Sequence, residues 1–377
     1  MLNYEYPPLG GGASPITGAL AQHLAAAGHS VDVVTMEFQG LPRFEQHGQL
    51  RVYRVAAVRR SQVRASTREM LSYLPSALNR ALALTAQQPY DLIHSHFVIP
   101  TSIVAALVRR ARGLPTVITI HGSDVPGYNP DRFKLGHRVM TPVWRGLVRD
   151  ADAIVSPSIY LRDLLAAQCA VPVEVIPYGF TPPPPRDLPR RRRILFASRL
   201  FPRKGAQFLL DALAGLPLGD WEVIVAGDGP TLPDLKAQAA RLGLPVSFAG
   251  FVKGQALEEL YATSAIFIFP SLRDNFPVVL LEALSAGCAV ITSDVSGMPE
   301  VVGDAGLLTP PGDVAALRAA LERLIGDAAL REELGARARA RMECFAWDTI
   351  LARHVALYER VAWRGRSALL RGQHANR

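Results

Sequence analysis

The chain has 377 residues, 49% of them apolar and 20% charged, which is enough for more than one core and unlike a disordered composition. Its net charge of +8 favours phosphate-bearing partners, but zinc-finger spacing, RNP-like aromatics and sustained heptads are all missing, so nucleic-acid binding is not expected. Three isolated cysteines (Cys169, Cys288, Cys344), no run of about 18 apolar residues and an opening MLNYEYPP without signal-peptide regions make a soluble cytoplasmic protein the expectation.

In chain order, MLNYE reads as a strand, PPLGGG as a loop and ITGALAQHLAAAG as a helix ending at Gly28. SVDVVTM is a strand. LRVYRVAAV, a Tyr/Leu/Ala-rich helix near 69–87 and the strand DLIHSH come next. SIVAALVRRARG is a helix, PTVITIHGSD a strand with its loop, ADAIVSPS a strand leading into YLRDLLAAQ, and VEVIPYG closes the series. This βα array of about 180 residues suits one doubly wound domain. TPPPPRDLPRRRR (181–193) interrupts it as a stiff, extended connector. Alternation resumes with RILFASRL, KGAQFLLDALAGL, WEVIVAGDG, PTLPDLKAQAARLG, VSFAGFV and ALEELYATS, then AIFIFPS, an apolar helix from 278 and AVITS. Three helical segments form the tail. The expected organisation is a first domain over 1–180, the connector, a second domain over 194–345 and a closing helix over 346–377, with a small-molecule site in a cleft between the domains.

Several segments carry chemistry, each with an ordinary alternative. The triple glycine of PPLGGG, between the first strand and the first helix, lets backbone approach an anion closely; a surface loop would also tolerate it. Pro15 stands where a dinucleotide fingerprint would need its third glycine, which weakens a Rossmann oxidoreductase. His121 of HGSD ends an apolar strand, where an imidazole can reach a phosphate or a sugar hydroxyl or simply serve the fold. His94 and His96 of HSH share one strand face with no carboxylate or cysteine in register and read as structural. Arg199 and Lys204 of SRLFPRKG flank a turn before a helix, which suits a diphosphate or a solvated basic turn. AGDGP (226–230) is a strand-end turn without strong chemistry of its own. In RDNFPVVLLEALSAG, Asp274 and Asn275 can cap a helix, Pro277 suits its first position and Gly287 its stop. Glu282 then sits on that helix, facing either a ligand's sugar hydroxyls or solvent. Arg51, Arg54, Arg59, Arg60, Arg64 and Arg68 make a basic stretch that fits an anionic membrane surface or a solvated face.

The order of PPLGGG with GHSVDVVT, HGSD, IPYG, SRLFPRKG, AGDGP, the 274–282 region, SGMPEVV and FAWDTI resembles the family 4 glycosyltransferases, a retaining group, over nearly the whole chain. The resemblance implies an α/β protein of GT-B fold: two doubly wound, Rossmann-like parallel-sheet domains facing across a cleft, with a last helix crossing back to the first domain. It implies that Gly11 and Gly12, with Arg199 and Lys204, hold the donor diphosphate and that His121 contacts the donor sugar or its phosphate. Glu282 would bind the ribose. Asp274 stands where the family has glutamate, so it would meet the donor sugar with one methylene fewer. Gly229, Asn275, Phe276 and the amides of Val278 and Val279 complete the implied nucleotide-sugar set, because Pro277 replaces a glycine and has no N–H.

The expected activity is metal-independent, retaining transfer of a sugar from a UDP- or GDP-sugar to a hydroxyl acceptor, with no cofactor. The expected acceptor is a lipid-linked saccharide or glycan of cell-surface polysaccharide synthesis, met at the inner face of the membrane. A GT-B nucleotide-sugar epimerase and a non-enzymatic basic membrane-surface adaptor are the alternatives.

Overall fold

Apolar runs without alternation call for strands buried on both faces, and ILFA, AIFIF and AVIT in the second half of the chain have that form. The computed structural model describes residues 1–62, 65–128, 134–184, 186 and 188–375, apart from the side chains of 134–139 and 365–375. The chain divides into two compact units, Met1–Gly179 with Trp347–Arg377, and Phe180–Ala346.

The first unit runs α1 (Ala13–Ala26), β1 (Val31–Met36), β2 (Phe44–His47), β3 (Leu50–Val55), α2 (Thr67–Gln87), β4 (Ile93–His96), α3 (Thr101–Arg112), β5 (Thr116–Thr119), α4 (Lys134–Asp150), β6 (Ala153–Ser156), α5 (Ile159–Ala166) and β7 (Glu174–Val175). Its strands lie in the orders β1-β3-β2 and β4-β5-β6-β7, parallel except for the β2–β3 hairpin. Leu2 bridges both Val34 and Ser95, so it joins the two groups where the strand order reverses. The expected strand MLNYE shrinks to this one bridging residue. Glu5 donates its N–H to Asn3 Oδ1, which turns the chain, and Pro7 and Pro8 have no N–H for a ladder. The β2 strand and α4 have no counterpart in the sequence reading.

The second unit runs β8 (Arg191–Ala197), α6 (Ala206–Leu213), β9 (Glu222–Ala226), α7 (Leu232–Arg241), β10 (Val246–Gly250), α8 (Gln255–Thr263), β11 (Ser264–Phe269), α9 (Val278–Ser285), β12 (Ala289–Ser293), α10 (Met298–Val302), β13 (Gly306–Thr309), α11 (Val314–Gly326) and α12 (Ala328–Arg341). Its six strands are all parallel, in the order β10-β9-β8-β11-β12-β13. The order reverses between β8 and β11, and an open sheet of this kind offers its ligand crevice there. The connector is shorter than expected, because β8 already begins at Arg191. Arg193 pairs in register with Glu222, its guanidinium 2.6 Å from that carboxylate and 2.6 Å from Thr263 Oγ1, so ladder and charge together draw it into the sheet. Pro185 and Asp187 of the connector lie outside the described residues.

The last helix, α13 (Trp347–Ala375), belongs to the first unit. Trp347 stacks on His23 of α1 at 4.4 Å and fills the space left by the missing side chain of Gly179. Ile350, Leu357 and Val361 join Leu20, Leu24, Val31 and Val33 in one core cluster. Burying each such side chain contributes about 1.5–3 kcal/mol. Among the described residues, no helix is long and apolar enough to cross a membrane.

Candidate active site

In the second unit, the turns after β9, β8 and β11 open at one edge because these neighbouring strands are parallel. The turn after β8 carries Arg199, exposed above the Phe201 ring at 5.7 Å, then a 3₁₀ turn, Pro202–Lys204. The Lys204 ammonium is buried, 5.1 Å from the Phe269 ring centroid and paired with Asp274. Burial lowers its pKa; Asp274 opposes this, and the guanidiniums of Arg203 and Arg199 add to the lowering. Arg203, which sequence reasoning passed over, is thus a third cation of the same turn, its Nη1 3.3 Å from the Arg273 carbonyl oxygen. A Cβ on Gly205 would run into the carbonyl oxygen of Pro270, and one on Gly229 into that of Leu200. Both glycines are therefore required by loop-on-loop packing, whatever they offer a ligand.

The 274–282 segment departs from its expected capping. The helix begins at Val278 with Pro277 as its N-cap, extended at φ −74° and ψ 113°, and no side chain caps it. Asp274 has turned to Lys204 instead, because a buried ammonium is a stronger partner than a helix amide. Asn275 is buried and the Phe276 ring packs edge-on against Phe345 at 5.8 Å, so both side chains are turned into the fold. Helix geometry leaves the Val278 and Val279 amides without intrahelical acceptors. Glu282 does not point to open solvent: it is half-buried on α9 against the buried Tyr261 phenol of α8, which makes no hydrogen bond of standard geometry among the described residues. Burial raises the Glu282 carboxyl pKa, with Tyr261 opposing, and raises that of the Tyr261 phenol. Gly287 terminates the helix at φ 70°, as expected.

In the first unit, the glycine loop leaves the sheet at the Leu2 bridge and runs into α1. The Gly11 N–H donates to Glu5 Oε2 at 3.2 Å, and Gly12 is the N-cap. A Cβ on either Gly11 or Gly12 would meet nothing within 4 Å among the described residues, so their packing does not require glycine there. His121 follows β5. Its Nδ1 lies 2.7 Å from Tyr178 Oη, and its Nε2 lies 3.1 Å from His96 Nδ1. Asp124 fixes the loop by accepting from the amides of His121, Gly122 and Val98, each at 3.0 Å. Burial pushes the Asp124 carboxyl up against those donors and lowers the His121 pKa to about 3. Asp124 and Tyr178 were not singled out from sequence; an aspartate three residues after a strand-end histidine is the local signal.

The arginine-rich stretch is not the uniform basic face expected of it. Arg59 has a fully buried side chain that binds the carbonyls of Tyr4, Ser61 and Gln62 and lies 3.7 Å from Glu5. Arg54 is buried on Glu45 and the Pro42 carbonyl, and Arg51 pairs with Asp32. These three cations are engaged by carboxylates and carbonyls of their own unit. Arg60 and Arg68 are exposed, and Arg64 lies outside the described residues.

Two doubly wound parallel-sheet units are the architecture of a GT-B fold, and comparison with known proteins gives the class. Residues 10–183 match Glycosyltransferase Family 4 and residues 185–341 match Glycosyl transferases group 1. An uncharacterized glycosyltransferase of Methanocaldococcus jannaschii is 27% identical, covering 95% of this chain and 97% of its own. Sucrose-phosphate synthase from Thermosynechococcus elongatus superposes with a TM-score of 0.78 at 25% identity over 93% of each chain. Anabaena HepE in complex with UDP gives 0.75 at 21% identity, covering 95% of this chain and 98% of its own. The chain belongs to the group 1/family 4 glycosyltransferases of GT-B fold. It is a glycosyltransferase acting on nucleotide-sugar donors.

Proposed function

We propose that this protein transfers a sugar, with retention and without a metal ion, from a UDP- or GDP-sugar to a hydroxyl acceptor. The observation that carries this reading is the turn after β8. Arg199, Arg203 and Lys204 supply three cations at the reversal point of a parallel sheet, with Asp274 paired to Lys204. Such charge stabilises a departing diphosphate as it develops, the task a divalent ion performs elsewhere. Glu282 accepts hydrogen bonds from the ribose hydroxyls. Asp274 engages Lys204 and meets the donor sugar through its remaining acceptor capacity. Gly11 and Gly12, open to close approach, and His121 are assigned to the donor's phosphate and sugar.

In the front-face mechanism we favour, the bond from the anomeric carbon to the phosphate oxygen breaks and the acceptor oxygen bonds on the same face. The acceptor proton passes to the departing phosphate oxygen, so no protein nucleophile or general base is assigned. The acceptor we propose is a lipid-linked saccharide or glycan of cell-surface polysaccharide synthesis, met at the cytoplasmic face of the membrane. Arg60 and Arg68 are the exposed cations on hand for that surface.

A thermal-shift screen of UDP, GDP and ADP with their sugars, followed by acceptor-dependent release of the nucleoside diphosphate, tests the reading. A UDP- or GDP-sugar is expected to stabilise the protein, and NMR of the product to show the donor's anomeric configuration. Nucleoside diphosphate release that ignores the acceptor would instead indicate an epimerase.

A further inference from the structure

The first unit contains a buried series of histidines. His354 Nδ1 lies 3.0 Å from the Ile350 carbonyl oxygen. His94 meets Tyr358 Oη and Thr119 Oγ1, both at 2.7 Å, and its ring centroid lies 4.3 Å from that of His96. His96 Nδ1 then faces His121 Nε2 at 3.1 Å. The other nitrogen of His96, Nε2, is buried and meets no hydrogen-bonding protein atom among the described residues.

A neutral imidazole carries one N–H and one lone pair. Burial favours the neutral form of His94, His96 and His121, and the neighbouring rings add to this for His94 and His96. A proton on His96 Nε2 would bury an N–H with no acceptor; a proton on Nδ1 leaves only a bare lone pair there, which costs less. His96 therefore donates from Nδ1, and His121 Nε2 must accept. Neutral His121 then keeps its proton on Nδ1 and donates to Tyr178 Oη at 2.7 Å. Each assignment forces the next.

We infer that His96 is a positioning residue: its Nδ1–H fixes His121 as the Nδ1–H tautomer and holds that ring at the carboxyl end of β5. This rests on the reading of His121 as a donor contact and sharpens it. With both nitrogens engaged, neutral His121 meets the donor through its C–H edge, and it supplies no proton to the leaving phosphate.

Long-range proton–nitrogen correlation on the full chain, labelled with ring-¹⁵N histidine, reads the tautomers directly at pH 7. His96 and His121 are both expected as Nδ1–H; His121 found as Nε2–H in the wild type overturns the inference. His96→Asn places an amide N–H near the Nδ1 position and should keep the His121 tautomer. Turnover of the accepted UDP- or GDP-sugar should then stay within about threefold of wild type. His96→Asp presents an acceptor and should switch His121 to Nε2–H or to the cation. Its kcat should fall on the order of 10-fold to 10²-fold, with nucleoside diphosphate affinity unchanged. A switched tautomer with unchanged kcat overturns the positioning role. Full activity in His121→Ala would remove the donor-contact reading itself, and the wild-type tautomers would still report on His96 separately.

Discussion

Under the proposed reading, each of the two units contributes to holding an anionic donor, and they do so with opposite materials. The second unit brings net charge: three cations on one turn, with a carboxylate tied to the buried one. The first brings backbone and neutral rings: a loop with open space where Gly11 and Gly12 lack a Cβ, and an imidazole kept uncharged by burial. All nine histidines of the chain lie in the first unit. Charge acts on a phosphate from several ångströms away, whereas a loop amide acts only on contact. The charged half should therefore dominate affinity and leaving-group departure, and the neutral half should set geometry.

The largest expected effects test that division. Arg199→Ala and Lys204→Ala should each lower turnover by about 10²-fold or more and weaken donor binding, measured by steady-state kinetics and calorimetry. Because Arg199 is exposed, its variant should melt like the wild type; near-normal activity in both variants would remove the charged half-site. Gly205→Ala, by contrast, should fail through folding. A Cβ there meets the Pro270 carbonyl at a φ of 83°, and a loss on the order of 2–4 kcal/mol is expected in chemical denaturation.

Acid should separate the units. His121 and His354 have folded pKa values of about 3 and about 4, below their ordinary 6.5, and His94 and His96 are also lowered. Between those values and 6.5 the unfolded chain binds more protons, so stability rises with pH and is lost as pH falls below 6.5. Each such histidine costs up to about 1.4 kcal/mol per pH unit in that window. Scanning calorimetry from pH 7 to 4.5 should show a first-unit transition moving down faster than a second-unit transition. Equal shifts would contradict burial of neutral histidines as the distinguishing feature.

Smaller effects sharpen the neutral side. Gly11→Ala should leave the melting temperature nearly unchanged yet reduce turnover roughly 10-fold, since a Cβ there obstructs a ligand and not the protein. Arg60→Ser with Arg68→Ser should weaken co-sedimentation with anionic vesicles by about 1 kcal/mol per arginine, an effect that fades as salt rises. Equal, negligible binding to neutral and anionic vesicles would make both arginines simply solvated.

The sequence alone determined what depends on near neighbours. The apolar runs ILFA, AIFIF and AVIT specify doubly buried strands, and Gly287 specifies where α9 stops. The order of its short motifs also carried the family. Tertiary structure decided what depends on partners far along the chain. Asp274 could cap its own helix by local rules, yet Lys204, 70 residues away, takes it because a buried ammonium needs an anion more than a helix amide does. Arg59 reads as a surface charge in a basic run, but its side chain is buried among loop carbonyls. His96 reads as a core histidine until the sheet places β5 beside β4 and sets His121 against its Nδ1. Strand formation follows from local pattern, because burial of a face is written every second residue or in unbroken runs. The pairing of charges and tautomers does not, because it is chosen only when the parallel sheet brings distant strand ends to one edge.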